Sequence, residues 1–363
     1  MKKIGILTFH RAYNYGAVLQ CYALQQYLKK QGADVYVIDY KQTWIDGCFK
    51  AFSWTLFKEY SKKPRRLYGY LKGIFHRKRV MDVRRKFFMS FRQKNLKLTQ
   101  LVKSNEQIPQ DLDVYVIGSD QLWAKQCLGN KFDNVYLGKF SHLKNSKIIG
   151  YAISTNKISI KELQNNALLN SSIDNFDAIS FREEEIANYI AEMTKLTISN
   201  VCLDPTLLLS ANGWENLINN YWESRKYVAV YQVRGNKQQQ QYIIDAANRI
   251  SKEIGNDIEV IDLSSMKYSV EDFVSIIKFA SYVVTSSFHA TVFSIIFKTS
   301  FKAVLLDDGL DSRYLNLIDS LKLSHVTCHV GDKISYMPTN YADIEDNLYS
   351  LKQFSTNYLK RFL

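Results

Sequence analysis

Short apolar runs alternate with amphipathic stretches along the chain. Residues 3–9 form an apolar run that predicts a buried strand, and residues 16–31 place apolar side chains on one helical face. Gly32 ends that helix, and residues 34–40 predict a second strand. Because parallel strands need a crossover connection, this opening predicts a right-handed βαβ unit.

The same alternation continues in two successive series. The first series adds strands at 113–118, 147–153, 178–181 and 200–203, a helix opened by Ser159 and Glu162, and a helix at 183–193. The second series has strands at 227–233, 258–263, 282–285 and 301–306, helices at 237–254, 270–279 and 290–297, a helix capped by Asp311, and a long helix after Pro338. Two such series predict an α/β protein with two Rossmann-like, doubly wound domains.

The domain boundary is expected where the first series ends and the second begins. We predict an N-terminal Rossmann-like domain at residues 1–210, with a basic helical insertion at about 50–97. The C-terminal Rossmann-like domain is predicted at residues 211–363 and includes the terminal helix. Ligands of doubly wound folds bind beyond the carboxyl ends of the strands, which predicts a cleft between the domains.

Polar side chains follow several of the predicted strands. Charged groups such as Asp120 and Arg182 would destabilise a buried strand end unless a partner or ligand compensated them, so folding alone does not account for the set. We predict that these residues form the binding site: Asn14, Gly16, Ser119, Asp120, Gln121, Ser154, Arg182, Ser286, Ser287 and His289.

Residues 281–297 are the most informative stretch. They predict a buried strand that turns directly into an apolar helix, and the free N–H groups of such a turn, with the helix dipole, bind anions. His289 lies at the turn, where a titratable group can act on a bound phosphate or carboxylate. The alternative is a histidine that only caps the helix.

Composition narrows the class of protein. Hydrophobic residues make up 46% of the 363 residues and charged residues 23%, which is typical of a soluble globular protein. No apolar run reaches the length of about 18 residues that predicts a membrane span. The five cysteines are scattered, as expected for reduced thiols, so we expect a cytoplasmic protein.

One segment carries the whole net charge. Residues 58–97 contain 15 Lys or Arg and two acidic residues, a net of +13, which equals the charge of the entire chain. Basic helices rich in aromatic residues favour an anionic membrane surface or an anionic substrate. A solvated helical face is the main alternative, and nucleic acid is the least favoured partner, so we predict none.

Several common catalytic motifs are missing from the sequence. It has no GxxxxGK[ST] loop, no GxGxxG and no GxSxG, which argues against P-loop, dinucleotide-binding and α/β-hydrolase chemistry. His325, Cys328 and His329 lie close together, but no second cluster completes a zinc site. We therefore predict neither a metal nor a cofactor.

Six short motifs in order resemble those of the polysaccharide pyruvyl transferase family. They are NYGAVLQ (14–20), IGSDQLW (117–123), YAIS (151–154), SFREEE (180–185), DPTLLL (204–209) and TSSFHA (285–290), and the resemblance runs from about residue 4 to residue 320. It implies a fold like that of GT-B glycosyltransferases, with two domains facing across a cleft. It also implies a transferase that moves the enolpyruvyl unit of phosphoenolpyruvate onto a sugar of a cell-surface polysaccharide or its precursor, which gives a pyruvate ketal.

The resemblance assigns roles to some of these residues. His289 would protonate the methylene carbon of phosphoenolpyruvate, and Asp120 would accept the proton of the sugar hydroxyl. Arg182 and the helix that opens at His289 would hold its two anionic groups. Some branches of the family carry an arginine where this chain has Ser287.

The resemblance also implies partners. The acceptor would be a glycan, either lipid-linked or nucleotide-linked. Independently of the resemblance, the basic segment predicts peripheral contact with the inner face of the plasma membrane. Because a fold does not fix a function, a nucleotide-sugar glycosyltransferase on the same scaffold is the main alternative. A non-catalytic binding protein that uses the basic segment is the third.

Overall fold

The fold is known from a computed structural model that describes residues 1–140, 145–155, 158–193, 197–199, 201–255, 258–265, 267–342 and 344–363. Its compact units are two: Met1–Leu208 together with Phe354–Leu363, and Leu209–Gln353. We call them the N-terminal unit and the C-terminal unit. Each has a parallel sheet of its own, so the predicted α/β class is confirmed.

The N-terminal unit is built on a sheet of six described strands in the order β2-β1-β3-β4-β5-β6. Its strands are β1 (Lys3–Leu7), β2 (Asp34–Val37), β3 (Val114–Asp120), β4 (Lys147–Ile153), β5 (Ala178–Phe181) and β6 (Thr197–Ser199). Its helices are α1 (Tyr15–Lys30), α2 (Thr43–Cys48), α3 (Trp54–Ser61), α4 (Pro64–Lys72), α5 (Ile74–Asn95), α6 (Ile160–Gln164), α7 (Ala167–Ile173) and α8 (Glu184–Met193).

The C-terminal unit repeats the same plan with five described strands in the order β11-β10-β9-β7-β8. Its strands are β7 (Tyr227–Tyr231), β8 (Glu259–Asp262), β9 (Tyr282–Thr285), β10 (Phe301–Leu305) and β11 (Thr327–His329). Its helices are α9 (Lys237–Ile254), α10 (Val270–Phe279), α11 (Phe288–Phe297) and α12 (Ser312–Ser320), and α13 (Ile344–Lys360) has residues in both units.

The order of the strands indicates where a ligand is expected to bind in each unit. In both sheets the first strand of the unit lies between the second and the third, so the chain reverses its direction of winding beside β1 and beside β7. Because crossovers are right-handed, the connections on the two sides of that strand lie on opposite faces and leave a crevice at its carboxyl end. The crevices are expected beside β1 and β3 in one unit, and beside β7 and β9 in the other.

The basic segment forms helices α3 to α5 and joins the sheet through aromatic side chains. Phe88 and Phe91 of α5 are 1% and 0% exposed, whereas the first half of α5 faces solvent. The ring of Phe88 lies 5.6 Å from that of Tyr13 and 5.4 Å from that of Tyr15, both of which come just after β1. These contacts fix the second half of α5 beside β1, as expected for buried aromatic pairs.

One predicted strand is wrong. The strand expected at 200–203 is found earlier, at β6, and Val201 to Leu203 have no regular structure, while Asn200 lies outside the described residues. The N–H of Leu203 donates to Ser355 Oγ at 2.9 Å, and Pro205 follows without a donor of its own. The N–H of Cys202 still donates to the carbonyl of Phe181 in β5 at 3.0 Å, so the segment is bonded partly to the sheet and partly to a side chain.

The second sheet differs from its prediction at β11, a strand that was not predicted. The cysteine and histidines of HVTCH had been considered only as metal ligands, but Cys328 is buried in this strand and pairs its backbone with Val304. Asp311 precedes α12 without capping it through its side chain. Its carboxylate instead accepts the N–H groups of Leu306 and Asp307, both at 2.9 Å.

Candidate active site

The carboxyl ends of β3 and β4 have an unusual backbone. Gly118 has a φ of +136°, and a Cβ there would overlap the carbonyl oxygen of Tyr151, so only glycine fits. Asp120 and Ala152 have φ values of +93° and +46°, which non-glycine residues rarely adopt. Backbone in such sparsely populated regions clusters at functional sites, which marks this edge of the sheet as a candidate site.

Ser119 connects three strands at this edge. Its Oγ donates to the carbonyl of Ala152 at 2.8 Å, and its own carbonyl accepts a hydrogen bond from Thr8 Oγ1 at 2.7 Å. Arg182 donates to the same Oγ from Nε at 3.0 Å and from Nη2 at 2.6 Å. The two predicted site residues Ser119 and Arg182 are therefore in direct contact.

Arg182 is buried and its charge is compensated. Its side chain is 4% exposed, and Nη2 forms an ion pair with the fully buried carboxylate of Asp204. Asp204 is held in turn by Thr206, whose N–H and hydroxyl donate to Oδ1 at 2.9 Å and 2.6 Å. Arg182 thus fixes the position of Ser119 through a buried network, and its predicted contact with substrate stays a prediction.

Three other predicted residues lie on the same edge. Asp120 is partly exposed, its Oδ1 accepts the N–H of Gln121 at 2.8 Å, and its carbonyl accepts the N–H of Ser154 at 2.9 Å. The hydroxyl of Ser154 donates to Glu183 at 2.5 Å. Gln121 accepts a hydrogen bond from the thiol of Cys127 at 3.1 Å. Asp120 is therefore held by local hydrogen bonds while its carboxylate remains open to solvent.

The NYGAVLQ motif forms the start of α1. Asn14 is its N-cap, and its side chain accepts the N–H of Ala17 at 3.1 Å. Gly16 lies buried in the first turn of α1. Gln20, two turns along, donates to Thr8 Oγ1 at 2.7 Å, which links the motif to the Thr8–Ser119 contact. The motif thus has a clear structural role, and binding of substrate by Asn14 and Gly16 stays a prediction.

A charged cluster after β1 and β2 was missed by the sequence analysis. His10 is fully buried, and its Nε2 lies 2.9 Å from Oδ1 of Asp39, which also accepts a hydrogen bond from Arg11 at 2.6 Å. Burial lowers the pKa of His10 despite this carboxylate. Burial opposes ionisation of Asp39 as well, but the hydrogen bonds from His10 and Arg11 hold its pKa at about 2. The sequence signal for this cluster was the pair His10 and Arg11, which directly follows the first predicted strand.

The remaining predicted residues lie between β9 and α11 in the C-terminal unit. Thr285 Oγ1 donates to the carbonyl of Tyr231 at 2.5 Å and accepts the N–H of Ser287 at 2.9 Å, which fixes the turn. Ser287 is the N-cap of α11, but its side chain makes no capping hydrogen bond to the described backbone. The partly exposed ring of His289 packs edge-on against Phe288, with 5.2 Å between the centroids.

This turn has the chemistry of an anion site. Ser286 is 2% exposed, and its hydroxyl has no hydrogen-bond partner within the part of the chain that the structure describes. Thr291, 1% exposed in the next turn of α11, is in the same situation. Buried hydroxyls are normally bonded, so both hydroxyls are available to a polar group beside the positive end of the helix.

Seven predicted residues therefore lie at the carboxyl edge of the N-terminal sheet and three at that of the C-terminal sheet. The first group is Asn14, Gly16, Ser119, Asp120, Gln121, Ser154 and Arg182, and the second is Ser286, Ser287 and His289. Among the described residues, no group of three or more His, Cys, Asp or Glu side chains is placed to hold a metal ion. Such sites, with helix N-termini at the ends of parallel strands, are typical of α/β proteins that bind anionic small molecules.

The chain belongs to the polysaccharide pyruvyl transferase family, whose model matches residues 14–305. Family membership makes the protein a transferase enzyme. The match contains all ten predicted site residues, but it does not assign their roles. No curated protein gives a significant match.

Solved structures match over most of the chain at low identity. The structure described as "S. aureus MnaA-UDP co-structure" is 11% identical and has a TM-score of 0.46, with 100% of this chain and 89% of the other covered. The UDP-GlcNAc 2-epimerase from Methanocaldococcus jannaschii is 12% identical, with a TM-score of 0.47 and coverages of 97% and 92%. E. coli heptosyltransferase WaaC with ADP is 10% identical, with a TM-score of 0.37 and coverages of 99% and 100%.

Proposed function

We propose that the protein transfers the enolpyruvyl group of phosphoenolpyruvate to a sugar of a cell-surface polysaccharide or its precursor, forming a pyruvate ketal. The observation that supports this best is the β9–α11 turn, where a buried hydroxyl and an uncapped helix N-terminus adjoin His289 in a member of the pyruvyl transferase family. Phosphoenolpyruvate carries a phosphate and a carboxylate, and either group suits this turn.

In the proposed reaction His289 supplies the proton. The imidazolium of His289 donates a proton to the methylene carbon of phosphoenolpyruvate, which becomes a methyl group and leaves the adjacent carbon electrophilic. Histidine is suited to this step because its ordinary pKa lies near neutral pH. The helix N-terminus of α11 and the hydroxyl of Ser286 hold the anionic group nearest to the reacting carbon.

The sugar supplies two hydroxyl groups in turn. The first hydroxyl oxygen bonds to the electrophilic carbon and gives its proton to Asp120, the carboxylate on the N-terminal sheet that is held yet open to solvent. The bond from that carbon to the phosphate oxygen then breaks, and phosphate leaves with the electron pair. The second hydroxyl oxygen bonds to the same carbon and gives its proton to the departing phosphate, which completes the cyclic ketal.

The network around Ser119 acts as support in this proposal. Arg182 and Asp204 neutralise each other, so the guanidinium fixes the strained β3 end on which Asp120 stands. Positioning of this kind matters because a small displacement of a catalytic group strongly reduces the rate. Arg182 is then a positioning residue, whether or not it also touches substrate.

The basic insertion is proposed to bind the acceptor and the membrane that carries the acceptor. Trp54, Tyr68 and Phe75 are exposed by 68%, 68% and 86%, and they lie within or beside the segment that carries the net charge. Aromatic rings and lysines together suit the anionic face of a bilayer, on which a lipid-linked glycan is presented. Among the described residues, no helix is apolar and long enough to cross a bilayer.

Ligand-dependent stabilisation tests the donor. Phosphoenolpyruvate at well above its dissociation constant should raise the melting temperature, because it binds only the folded state. A Ser286→Ala variant should lose much of this shift, while Ser320→Ala, an exposed serine at the end of α12, should keep it. Stabilisation by nucleotide sugars and none by phosphoenolpyruvate would show a glycosyltransferase instead.

A further inference from the structure

A cavity in the N-terminal unit lies where α5 covers the ends of β1 and β2. It has a volume of about 490 Å³, within the range of about 300–1,000 Å³ that is typical of small-molecule sites. Its walls come from the residues after β1, such as Arg11 and Tyr13, from α2 and the loop after it, and from the α5 helix. Arg11 and Tyr13 follow β1, and Lys41 follows β2, so the cavity lies at the carboxyl edge of the N-terminal sheet.

The walls are strongly basic. Two acidic side chains, Asp46 and Asp82, face six basic ones, which gives the lining a net charge of +4. The basic residues are Arg11, Lys41, Lys50, Lys78, Arg85 and Arg92. A concave surface with one sign of charge concentrates a ligand of the opposite sign.

Arg92 is the buried cation of the cavity. It lines the wall and is 7% exposed. Burial and the neighbouring charge of Arg11 lower the pKa of Arg92, whereas the charges of Tyr13, Asp39 and Asp46 act in the opposite direction. A buried guanidinium stays protonated, so an anion in the cavity would add compensating charge.

One acid of the cavity, Asp46, is already surrounded by cations. It lies 2.7 Å from Lys50, 3.7 Å from Lys41 and 3.8 Å from Arg11. Burial opposes its ionisation, but the hydrogen bond from Lys50 and the charges of Lys50, Lys41 and Arg11 together hold its pKa below its ordinary value. The α5 side of the wall adds three cations and the one acid Asp82, so each side carries an excess of two positive charges.

The aromatic side of the cavity indicates what accompanies the anion. Tyr13, Phe49 and Phe52 line it together with Met81 and Met89. The rings of Tyr13 and Phe49 are 4.9 Å apart, and Tyr13 stacks on Phe88 at 5.6 Å, so the wall is rigid. Such a wall suits the flat face of a sugar ring or base, or the first carbons of a lipid, next to a phosphate.

We propose that this cavity binds the diphosphate that links the acceptor sugar to its carrier. The inference rests on the proposed pyruvyl transfer, in which an acceptor must be held on the N-terminal sheet near Asp120. A diphosphate is shared by lipid-linked and nucleotide-linked sugars, and its two phosphates match the several arginines and lysines of the wall. The linked sugar then lies at the edge of the sheet where β1 and β3 end.

Binding to the full-length protein tests the cavity with three probes. Inorganic pyrophosphate, UDP-glucose and a farnesyl-diphosphate-linked sugar are titrated by calorimetry against wild type and the double variant Lys78→Gln/Arg85→Gln. Both residues are exposed, so the variant is expected to fold. Pyrophosphate should bind about tenfold more weakly to it, because charge-assisted hydrogen bonds are lost. The natural source of the diphosphate is the nucleotide if the affinity for UDP-glucose falls to the same extent as that for pyrophosphate, and the lipid if the affinity for the farnesyl-linked sugar does so.

The matched control is Lys86→Gln/Lys94→Gln, which removes the same charge from the same helix at exposed positions that do not line the cavity. If both double variants weakened diphosphate binding equally, the effect would come from the overall positive charge of the basic segment. That result would refute the proposal that the cavity is the binding site. Arg92→Met is the third variant and should weaken binding at least as much as the cavity pair. The cavity pair would still decide the question if Arg92→Met did not fold.

The donor provides the control for the proposed function. Phosphoenolpyruvate should stabilise wild type and the cavity pair equally, because its site is proposed in the C-terminal unit. Diphosphate binding that depends on the cavity, without any effect of phosphoenolpyruvate, would refute pyruvyl transfer and leave the diphosphate site standing. Stabilisation by phosphoenolpyruvate, without diphosphate binding that depends on the cavity, would refute only the diphosphate site.

Discussion

The two histidines next to the sheet ends differ in a way that separates structure from chemistry. His10 is fully buried, with Nε2 2.9 Å from Asp39 and Nδ1 3.1 Å from the carbonyl of Thr8. His289 belongs to a partly exposed position at the start of a helix without a side-chain cap. The surroundings of His10 suit a structural role, whereas His289 is the histidine that we propose to act on substrate.

His289→Ala should abolish transfer and leave the fold intact. Loss of a general acid typically reduces the rate by about 10²–10⁴-fold. The measurement is phosphate release from phosphoenolpyruvate with acceptor, alongside the melting temperature. His76→Ala, at an exposed position of α5, is the control and should be fully active. A folded, fully active His289→Ala would leave this histidine only a capping role.

Arg182→Met should destabilise the protein strongly. Removing one partner of a buried ion pair leaves the Asp204 carboxylate uncompensated, and such changes cost about 3–5 kcal/mol. Urea denaturation followed by tryptophan fluorescence measures the loss. Arg225, whose side chain is 31% exposed and is paired with the exposed Glu259, gives the control Arg225→Met, which should change stability by about 1 kcal/mol or less. A stable but inactive Arg182→Met would instead assign the guanidinium to substrate.

At the scale of elements, the ends of β1 and β2 are joined by a buried titratable group. Burial lowers the pKa of His10, so the folded state binds a proton less readily than the unfolded state. Stability is then present above the ordinary histidine pKa of about 6.5 and is lost as the pH falls below it. This dependence belongs to the first crossover unit, since Asp39 comes from the end of β2.

The expected result is a stability that declines between pH 7.5 and pH 5.5. The slope should be smaller in His10→Gln, whose amide can still donate to Asp39 but does not titrate. Urea denaturation at several pH values measures both slopes. Identical slopes in the two proteins would show that His10 does not control the acid sensitivity.

The elements themselves were largely predictable, because apolar periodicity reflects which face is buried. The bounds of β4, β5, β9, α9 and α10 agree with the predicted ranges, since each is a clear apolar pattern ended by a turn or cap. The short β11 was missed, because HVTCH has only one apolar residue among polar ones. The strand expected at 200–203 failed because the N–H of Leu203 bonds to a side chain, although the N–H of Cys202 still donates to Phe181 of β5.

The candidate site was predictable only in part. Polar residues after strands can be read from the sequence, and the contact of Ser119 with Arg182 follows once the strands are aligned. The partner of a buried charge is a different matter, because Asp204 and Arg182 meet through tertiary packing. The cavity at Arg92 was hidden for the same reason, since its walls come from segments far apart in the chain.

On the scale of the whole molecule, the charge is concentrated in one insertion. The chain outside residues 58–97 is neutral, and the insertion also has the exposed Phe75 within that segment and the exposed Trp54 just before it. Trp54→Ser/Phe75→Ser should weaken binding to anionic liposomes, because buried apolar area and charge both contribute to membrane affinity. Sedimentation with phosphatidylglycerol vesicles measures this, and added salt should weaken binding further.

Exposed tyrosines of the C-terminal unit provide the control. Tyr221→Ser/Tyr349→Ser removes aromatic groups that are 64% and 63% exposed and lie outside the basic insertion. That variant should sediment like wild type, and both variants should still convert a short soluble acceptor. If Trp54→Ser/Phe75→Ser bound vesicles as well as Tyr221→Ser/Tyr349→Ser, the exposed aromatic side chains of the insertion would not contribute to membrane binding.

Residues 354–363 belong to the N-terminal unit, although they follow the C-terminal unit in the sequence. Ser355 accepts the N–H of Leu203, and Tyr358 donates to the carbonyl of Gly150 at 2.7 Å, within the core beside β4. A growing chain on the ribosome therefore cannot finish its first unit before the second has been synthesised. A chain that stops after residue 353 therefore contains the whole C-terminal unit but lacks residues 354–363, so the core of its N-terminal unit beside β4 stays incomplete.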